Sequence, residues 1–290
     1  MLELRSDYPT PPPPRFPAPL DRLSAAVQCR AMRLTDEHRE TVDRDGLVLL
    51  DEVFTDDELN RASEGIDHLY TTGDRDNGII QYYTEPGLMH ILAHPNLEAI
   101  ARHVLRADAV VLNSTASLYR KPDGVSEWTC DPYEHVDIQF SLEDLDATPR
   151  RMLAMMMVFV EDLPPGRGNT WVRLGSHRRI AEHLHAQGLD PAKTTATNAT
   201  DLPDLGFAPL TPVVAKRGQV AAFSTALLHC GSTNIDTQPR KVLFVNFNAL
   251  GYLKHIFGQY VLQDQRTDWR NFLATQFAPD RHHLLLDSDR

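Results

Sequence analysis

The sequence predicts a mainly β domain, a sandwich or open barrel with flanking helices that brace it from the N-terminal side. Two observations predict this. Apolar residues recur at helical spacing through the first hundred positions, and from Val110 onward the period shortens to two, in short runs separated by glycine and proline. The chain of 290 residues can bury one large core, and neither a Gly/Ser-rich linker nor an internal repeat divides it.

Prolines crowd the stretch from Pro9 to Pro19 and exclude helix or central strand there, so residues 1–20 are expected to form an extended arm. That arm is either a loose tail or a strap across a neighbouring surface. From Thr35 a polar, acid-rich helix runs to Arg44 and stops at Gly46, and Leu47–Leu50 reads as a short buried strand. Thr55-Asp56-Asp57-Glu58 has the form of a capping box, in which the hydroxyl and the carboxylate each satisfy a backbone N–H of the first turn. It opens a helix to about Tyr70. Asn96 is expected to cap another, with Leu97, Ile100, Ala101 and Leu105 on one face. Strands are then expected at Val110–Tyr119, Met152–Val160, Thr170–Leu174, Gln219–Phe223, Leu228–Cys230 and Val242–Phe247. Residues 141–150 and 184–211 interrupt the strand pattern, and the second stretch is long enough for a lid.

Composition narrows the function. A net charge of -11 argues against a broad phosphate-binding face, so no nucleic-acid partner is expected. The 3 cysteines lack Cys-x-x-Cys spacing, which fits free thiols in a reducing compartment. No apolar run reaches the length of a membrane helix, and the N-terminus has no signal-peptide pattern. The expectation is a soluble cytoplasmic protein with a small-molecule substrate and no membrane partner; a homodimer is left open.

His135-Val136-Asp137 carries the first chemical signal. On a strand, residues two apart face the same side, so the imidazole and carboxylate would project into one space. Two histidines and one carboxylate on one face of an iron(II) ion leave its opposite positions open for substrate and oxygen. Such triplets also arise by chance. His229, in an apolar run ending at a turn, is a third ligand candidate or equally a core histidine. Arg240 follows, just past Pro239 at the mouth of an apolar strand. A guanidinium there needs an anion: the far end of a dicarboxylate suits its planar fork, and a structural salt bridge is the alternative.

In this order the motifs resemble the phytanoyl-CoA dioxygenase (PhyH-like) family of iron(II)/2-oxoglutarate oxygenases, from about Gly46 to about Asn248. Lys121-Pro122-Asp123-Gly124 is similar to the family's Lys-Pro turn, and His135-Val136-Asp137 to its metal motif. The stretch Gly168 to His177 resembles its Gly-rich strand, while Gly218-Gln219-Val220 with His229 and Arg240 resembles the strand bearing the distal ligand and the 2-oxoglutarate arginine. The resemblance implies a double-stranded β-helix (jelly roll, cupin-like). It implies iron(II) on His135, Asp137 and His229, with 2-oxoglutarate and O2 as cosubstrates. Arg240 would pair with the distal carboxylate, and Thr170 would add a hydroxyl donor. Met157, Ser117 and Gln81 fall near positions where relatives touch the cosubstrate; Met157 equally fits plain barrel core, on a face with Leu153, Met155 and Phe159.

Departures are visible. Leu174 replaces the usual proline before Gly175-Ser176-His177, and Gly231 stands where some relatives place a serine that contacts 2-oxoglutarate. Residues 127–134 lack the family's usual pattern and leave substrate recognition open. By the resemblance His177 supports a turn, and Cys230 is expected in the core. Asp137 argues against halogenation, since related halogenases lack a carboxylate there. Strand parity with Arg240 points Phe244, Asn246 and Asn248 inward as substrate contacts, and parity with Lys121 points Asn113 and Tyr119 inward; the amides equally fit hydrogen bonding within the sheet.

The expected function is a non-haem dioxygenase in which residues 21–290 form a single catalytic domain with a C-terminal helical extension. It would hydroxylate an unactivated C–H bond of a small or medium-sized metabolite, in specialised metabolism or, as the weaker alternative, an acyl-CoA, with release of succinate and CO2; desaturation, ring formation and endoperoxide formation stay open as outcomes. The rivals are a jelly-roll binding protein without a metal, and a metalloenzyme that is not an oxygenase. The latter would need no arginine at position 240.

Overall fold

The computed structural model describes residues 32–189, 201–252 and 263–286, so the expected arm over 1–20 lies outside the described residues. The first helix, α1 (Asp36–Asp45), begins at Thr35 with a capping box shared with His38 and ends at Gly46. Gly46 has φ +85, and a β-carbon there would meet a methyl of Leu227 at 2.6 Å. Glycine is therefore required twice over, by backbone conformation and by space. Its carbonyl accepts from the Ser224 N–H at 2.8 Å, and β1 (Leu47–Leu50) continues directly against β7 (Val220–Ser224).

The capping box at Thr55 opens α2 (Asp56–Thr72), where the Thr55 N–H donates to the Glu58 carboxylate at 2.8 Å. After β2 (Gly78–Gln81) come α3 (Pro86–Leu92) and α4 (Pro95–Leu105). The expected cap at Asn96 is corrected: His94 caps α4, its Nδ1 accepting from the Asn96 N–H at 3.2 Å, and Pro95 takes the first helical position. Asn96 sits inside the first turn and donates its side-chain amide to the Val53 carbonyl.

Two antiparallel sheets follow. The larger combines β3 (Val110–Arg120), β4 (Leu153–Phe159) and β9 (Arg240–Ala249) in the order β1-β7-β4-β9-β3-β2. The smaller orders β6 (Thr211–Pro212), β5 (Trp171–Val172) and β8 (His229–Cys230) as β6-β5-β8. Two short helical stretches escape strand periodicity, α5 (Leu142–Asp146) and α6 (Ser176–Ala186). The interrupted stretch 184–211 is thus partly helix, and its residues 190–200 lie outside the described residues.

The large sheet is buried on both faces. Leu243, Val245 and Phe247 pack under the helices with Leu97, Ile100 and Trp269 of the C-terminal α7 (Gln263–Gln276). The other face sets Met155, Met157, Phe159, Phe223 and Val242 against Val172 of the small sheet. Leu153, in unbroken register opposite Asn248 two residues before Met155, shares that face and packs into the main core at its end. Fully burying side chains of this size contributes about 1.5–3 kcal/mol each. The result is a jelly roll whose helices brace one sheet and leave the space between the sheets for a site.

Two buried histidines, His94 and His177, and the half-buried His90 carry a pH dependence in this frame. Burial, first among the causes, pulls His90 and His177 down to about 4 and lowers His94 as well. The unfolded chain therefore takes up protons that the folded one refuses, from the ordinary histidine pKa of roughly 6.5 down to the folded values. Stability is full above that ordinary value and is lost as pH falls. The urea midpoint is expected to drop steadily between about pH 6.5 and 5, above the range where most carboxylates titrate; a flat midpoint there would refute this.

Candidate active site

Main-chain pairing assembles the site. Residues 129–137 run antiparallel to 225–233, through bonds from Asp131 N–H to the Gly231 carbonyl (2.9 Å), between His135 and His229 in both directions (2.8 and 2.9 Å), and from Asp137 N–H to the Thr225 carbonyl (2.9 Å). His135 is thus held by an isolated bridge, not by the strand its spacing suggested. The convergence of His135 and Asp137 still follows, because their partner segment fixes both.

The ligand-type atoms of His135, Asp137 and His229 all lie within 4.8 Å of one another. Each histidine Nε2 is 3.7 Å from a different oxygen of the Asp137 carboxylate. Each Nδ1 faces a backbone carbonyl, Tyr133 at 3.1 Å and Leu227 at 2.9 Å. A carbonyl can only accept, so Nδ1 carries the proton and Nε2 presents its lone pair to the centre. Burial lowers the pKa of His229, favouring the neutral imidazole that ligates metals. The ring of Phe223 stands edge-on to His229 at 5.1 Å and limits its rotation.

The three residues open onto a cavity of about 320 Å³ that also contains Arg240, Thr170, Gln81, Met157, Phe244 and Asn246. Arg240 is 3% exposed. Its Nη1 donates to the Gly168 carbonyl at 2.6 Å and its Nη2 to the Thr170 hydroxyl at 2.9 Å, while Nε has no partner. Burial first, and the charge of Arg120 second, pull its pKa down to about 9, so it stays protonated at neutral pH. Among the described residues no carboxylate pairs with it. A buried cation with an open donor is a socket for an anion.

Not every expected contact reaches the cavity. Ser117 and Tyr119 fall on the opposite face of β3: Tyr119 stacks on Tyr70 at 5.0 Å, and the Tyr70 hydroxyl reaches the Ser117 carbonyl at 2.6 Å. Asn113 sits at a register shift in β3, and Asn248 is buried outside the lining. Asn113 and Tyr119 share the parity of Lys121, whose Nζ points outward to Asp76. The inward residues are Ala116, Leu118 and Arg120, one position away. Arg120, Asp131, Ile79 and Phe223 also line the cavity without having been singled out. Register could have revealed Arg120, since it lies directly opposite Arg240. His177 lies in α6 with its Nε2 at the Asp43 carbonyl, and Cys230 is fully buried with its thiol pushed up to about 12, chiefly by burial.

The sequence matches the phytanoyl-CoA dioxygenase (PhyH) family over residues 42–242. The chain belongs to this family. As a member it is an iron(II)- and 2-oxoglutarate-dependent dioxygenase. An ectoine dioxygenase of Bordetella parapertussis is 23% identical over 245 residues, covering 75% of this chain and 76% of that one. Among solved structures, the epimerase SnoN in complex with Fe3+, alpha-ketoglutarate and nogalamycin RO aligns with TM-score 0.58 at 15% identity, over 74% of this chain and 84% of that one. EctD from S. alaskensis with 2-oxoglutarate and 5-hydroxyectoine aligns with TM-score 0.54 at 21% identity, over 80% and 83%. These structures share the fold with the PhyH-family chain. Its own residues fit the family's cofactors: two imidazoles and a carboxylate suit iron(II), and the open donor of Arg240 suits a carboxylate. No helix among the described residues is long and apolar enough to cross a membrane.

Proposed function

We propose that His135, Asp137 and His229 hold the iron, that Arg240 and Thr170 receive the distal carboxylate of 2-oxoglutarate, and that the enzyme hydroxylates an unactivated C–H bond of a small or medium-sized metabolite in specialised metabolism. The observation that carries this reading is a single cavity holding a carboxylate–bis-imidazole cluster and a buried guanidinium without a counterion. When bound, iron and 2-oxoglutarate supply oxidising power from O2, with release of succinate and CO2.

The protein's share is positioning. Asp137 carries the negative charge that offsets the metal's, and the carbonyls of Tyr133 and Leu227 fix the tautomer of each histidine. Met155, Met157, Phe223 and Phe244 keep the walls apolar and exclude water from the reacting atoms. Asn246, 2% exposed, donates its amide N–H to Ser114, and its carbonyl oxygen has no partner. That oxygen is assigned to a hydroxyl or N–H of the substrate, and Gln81 at the exposed rim to a second polar contact. An apolar cavity with few polar groups suits a compact metabolite.

Succinate release measured across a panel of compact metabolites tests this reading. The expected result is stimulation by some members over the uncoupled background, with a product heavier by one oxygen. Iron-loaded protein that neither binds 2-oxoglutarate nor releases succinate would overturn it in favour of a binding module.

A further inference from the structure

Resting on that assignment of Arg240, we propose that Arg120 is a second cationic anchor for the distal carboxylate of 2-oxoglutarate, and that Asp131 is the counterion it exchanges for the cosubstrate.

The register makes the case first. Arg120 and Arg240 are directly paired across β3 and β9, and both line the cavity. Like charges opposite one another on paired strands are destabilising, so an arrangement of two guanidiniums in one cavity calls for shared negative charge. Arg240 already spends one N–H of each Nη on Gly168 and Thr170, which narrows the fork it can offer an anion. Only its Nε is without a partner.

Arg120 has the complementary vacancy. Asp123 holds one edge of its guanidinium, at 3.1 Å from Nε and 2.9 Å from Nη2. Its Nη1 has only the longer contact with Asp131, at 3.6 Å. A charge-assisted bond closes to less than about 3 Å when geometry allows, so this contact is loose. The Asp123 grip fixes the stem of Arg120 and leaves Nη1 to a better acceptor.

Gly231 explains how Asp131 reaches this place. A β-carbon at position 231 would overlap the Asp131 carboxylate and lie 3.7 Å from Arg120 Nη1. Any side chain there, including the serine carried by some relatives, would displace Asp131. The missing serine is thus replaced by an ion pair that can open: Asp131, 44% exposed at its side chain, can turn to water when a carboxylate arrives.

The test is anaerobic titration of the iron-loaded enzyme with 2-oxoglutarate and with 2-oxopentanoate, which has the same chain but no distal carboxylate, followed by calorimetry and by the visible charge-transfer band. Arg120→Gln is expected to weaken 2-oxoglutarate binding about ten- to a hundredfold, the range of a lost charge-assisted hydrogen bond. Affinity for 2-oxopentanoate should stay unchanged. Arg120→Lys, which keeps the charge and loses the fork, should show a smaller loss with the same selectivity, and it serves alone if the glutamine variant does not fold. Equal weakening of both ligands would reduce Arg120 to a structural role, and no weakening of either would overturn the proposal. Arg240→Ala runs alongside: if it too leaves 2-oxoglutarate binding intact, the failure lies in the assignment of the cosubstrate site itself.

Discussion

An Asp137→Ala variant is expected to keep its fold, lose iron(II) and release no succinate above background. Asp137 is the one carboxylate in the cluster, 3.7 Å from the Nε2 of both histidines, so it alone would offset the charge of a metal bound there. Its backbone N–H is bonded to the Thr225 carbonyl and does not depend on the side chain, so the segment should stay in place. Removing one partner of a buried charged pair costs about 3–5 kcal/mol, which is roughly two to four orders of magnitude in affinity. Asp137→Asn separates charge from shape: the amide fills the same space, and it should lose nearly as much affinity. Anaerobic iron titration with a parallel melting curve checks this. Retained iron in the alanine variant would move the metal elsewhere.

Much of this site was legible in the sequence, because strand pairing is local in pattern even where it is distant in chain. Arg240 stands out as a guanidinium at the mouth of an apolar strand, and the family resemblance sets Thr170 and Met157 beside it; all three line the cavity. Failures came where a single residue's direction decides. A one-residue slip on a strand turns every side chain to the other face, and the outward Lys121 took Tyr119 with it; Ser117, named by the family resemblance, lies on that same outward face. The His135–Asp137 spacing gave the right convergence for an incomplete reason, since one bridge and one further backbone bond hold them, not a continuous strand. Asp131 was hidden for another reason: nothing in the chain near it signals that Gly231, distant in sequence, leaves room for its carboxylate.

Arg240→Met is expected to raise the 2-oxoglutarate requirement by about two orders of magnitude, with iron binding unchanged and little loss of stability. The two halves of that expectation have one origin. A guanidinium 3% exposed and without a carboxylate partner has been taken out of water uncompensated, a penalty of several kcal/mol. Its bonds to Gly168 and Thr170 return about 1.5–3 kcal/mol each, so arginine and a methionine of similar volume come out nearly level in the free protein. Once the distal carboxylate enters, the balance changes. Only arginine then gains a charge-assisted pair in a dry cavity, and this difference appears as cosubstrate affinity. The melting temperature of the free variant should therefore lie near the parent's, while the upward shift that 2-oxoglutarate produces in the parent should vanish at the same concentration. A variant that melts far lower but still binds 2-oxoglutarate would show that Arg240 serves the fold. The expected opposite pattern would mark it as a cation kept for its ligand.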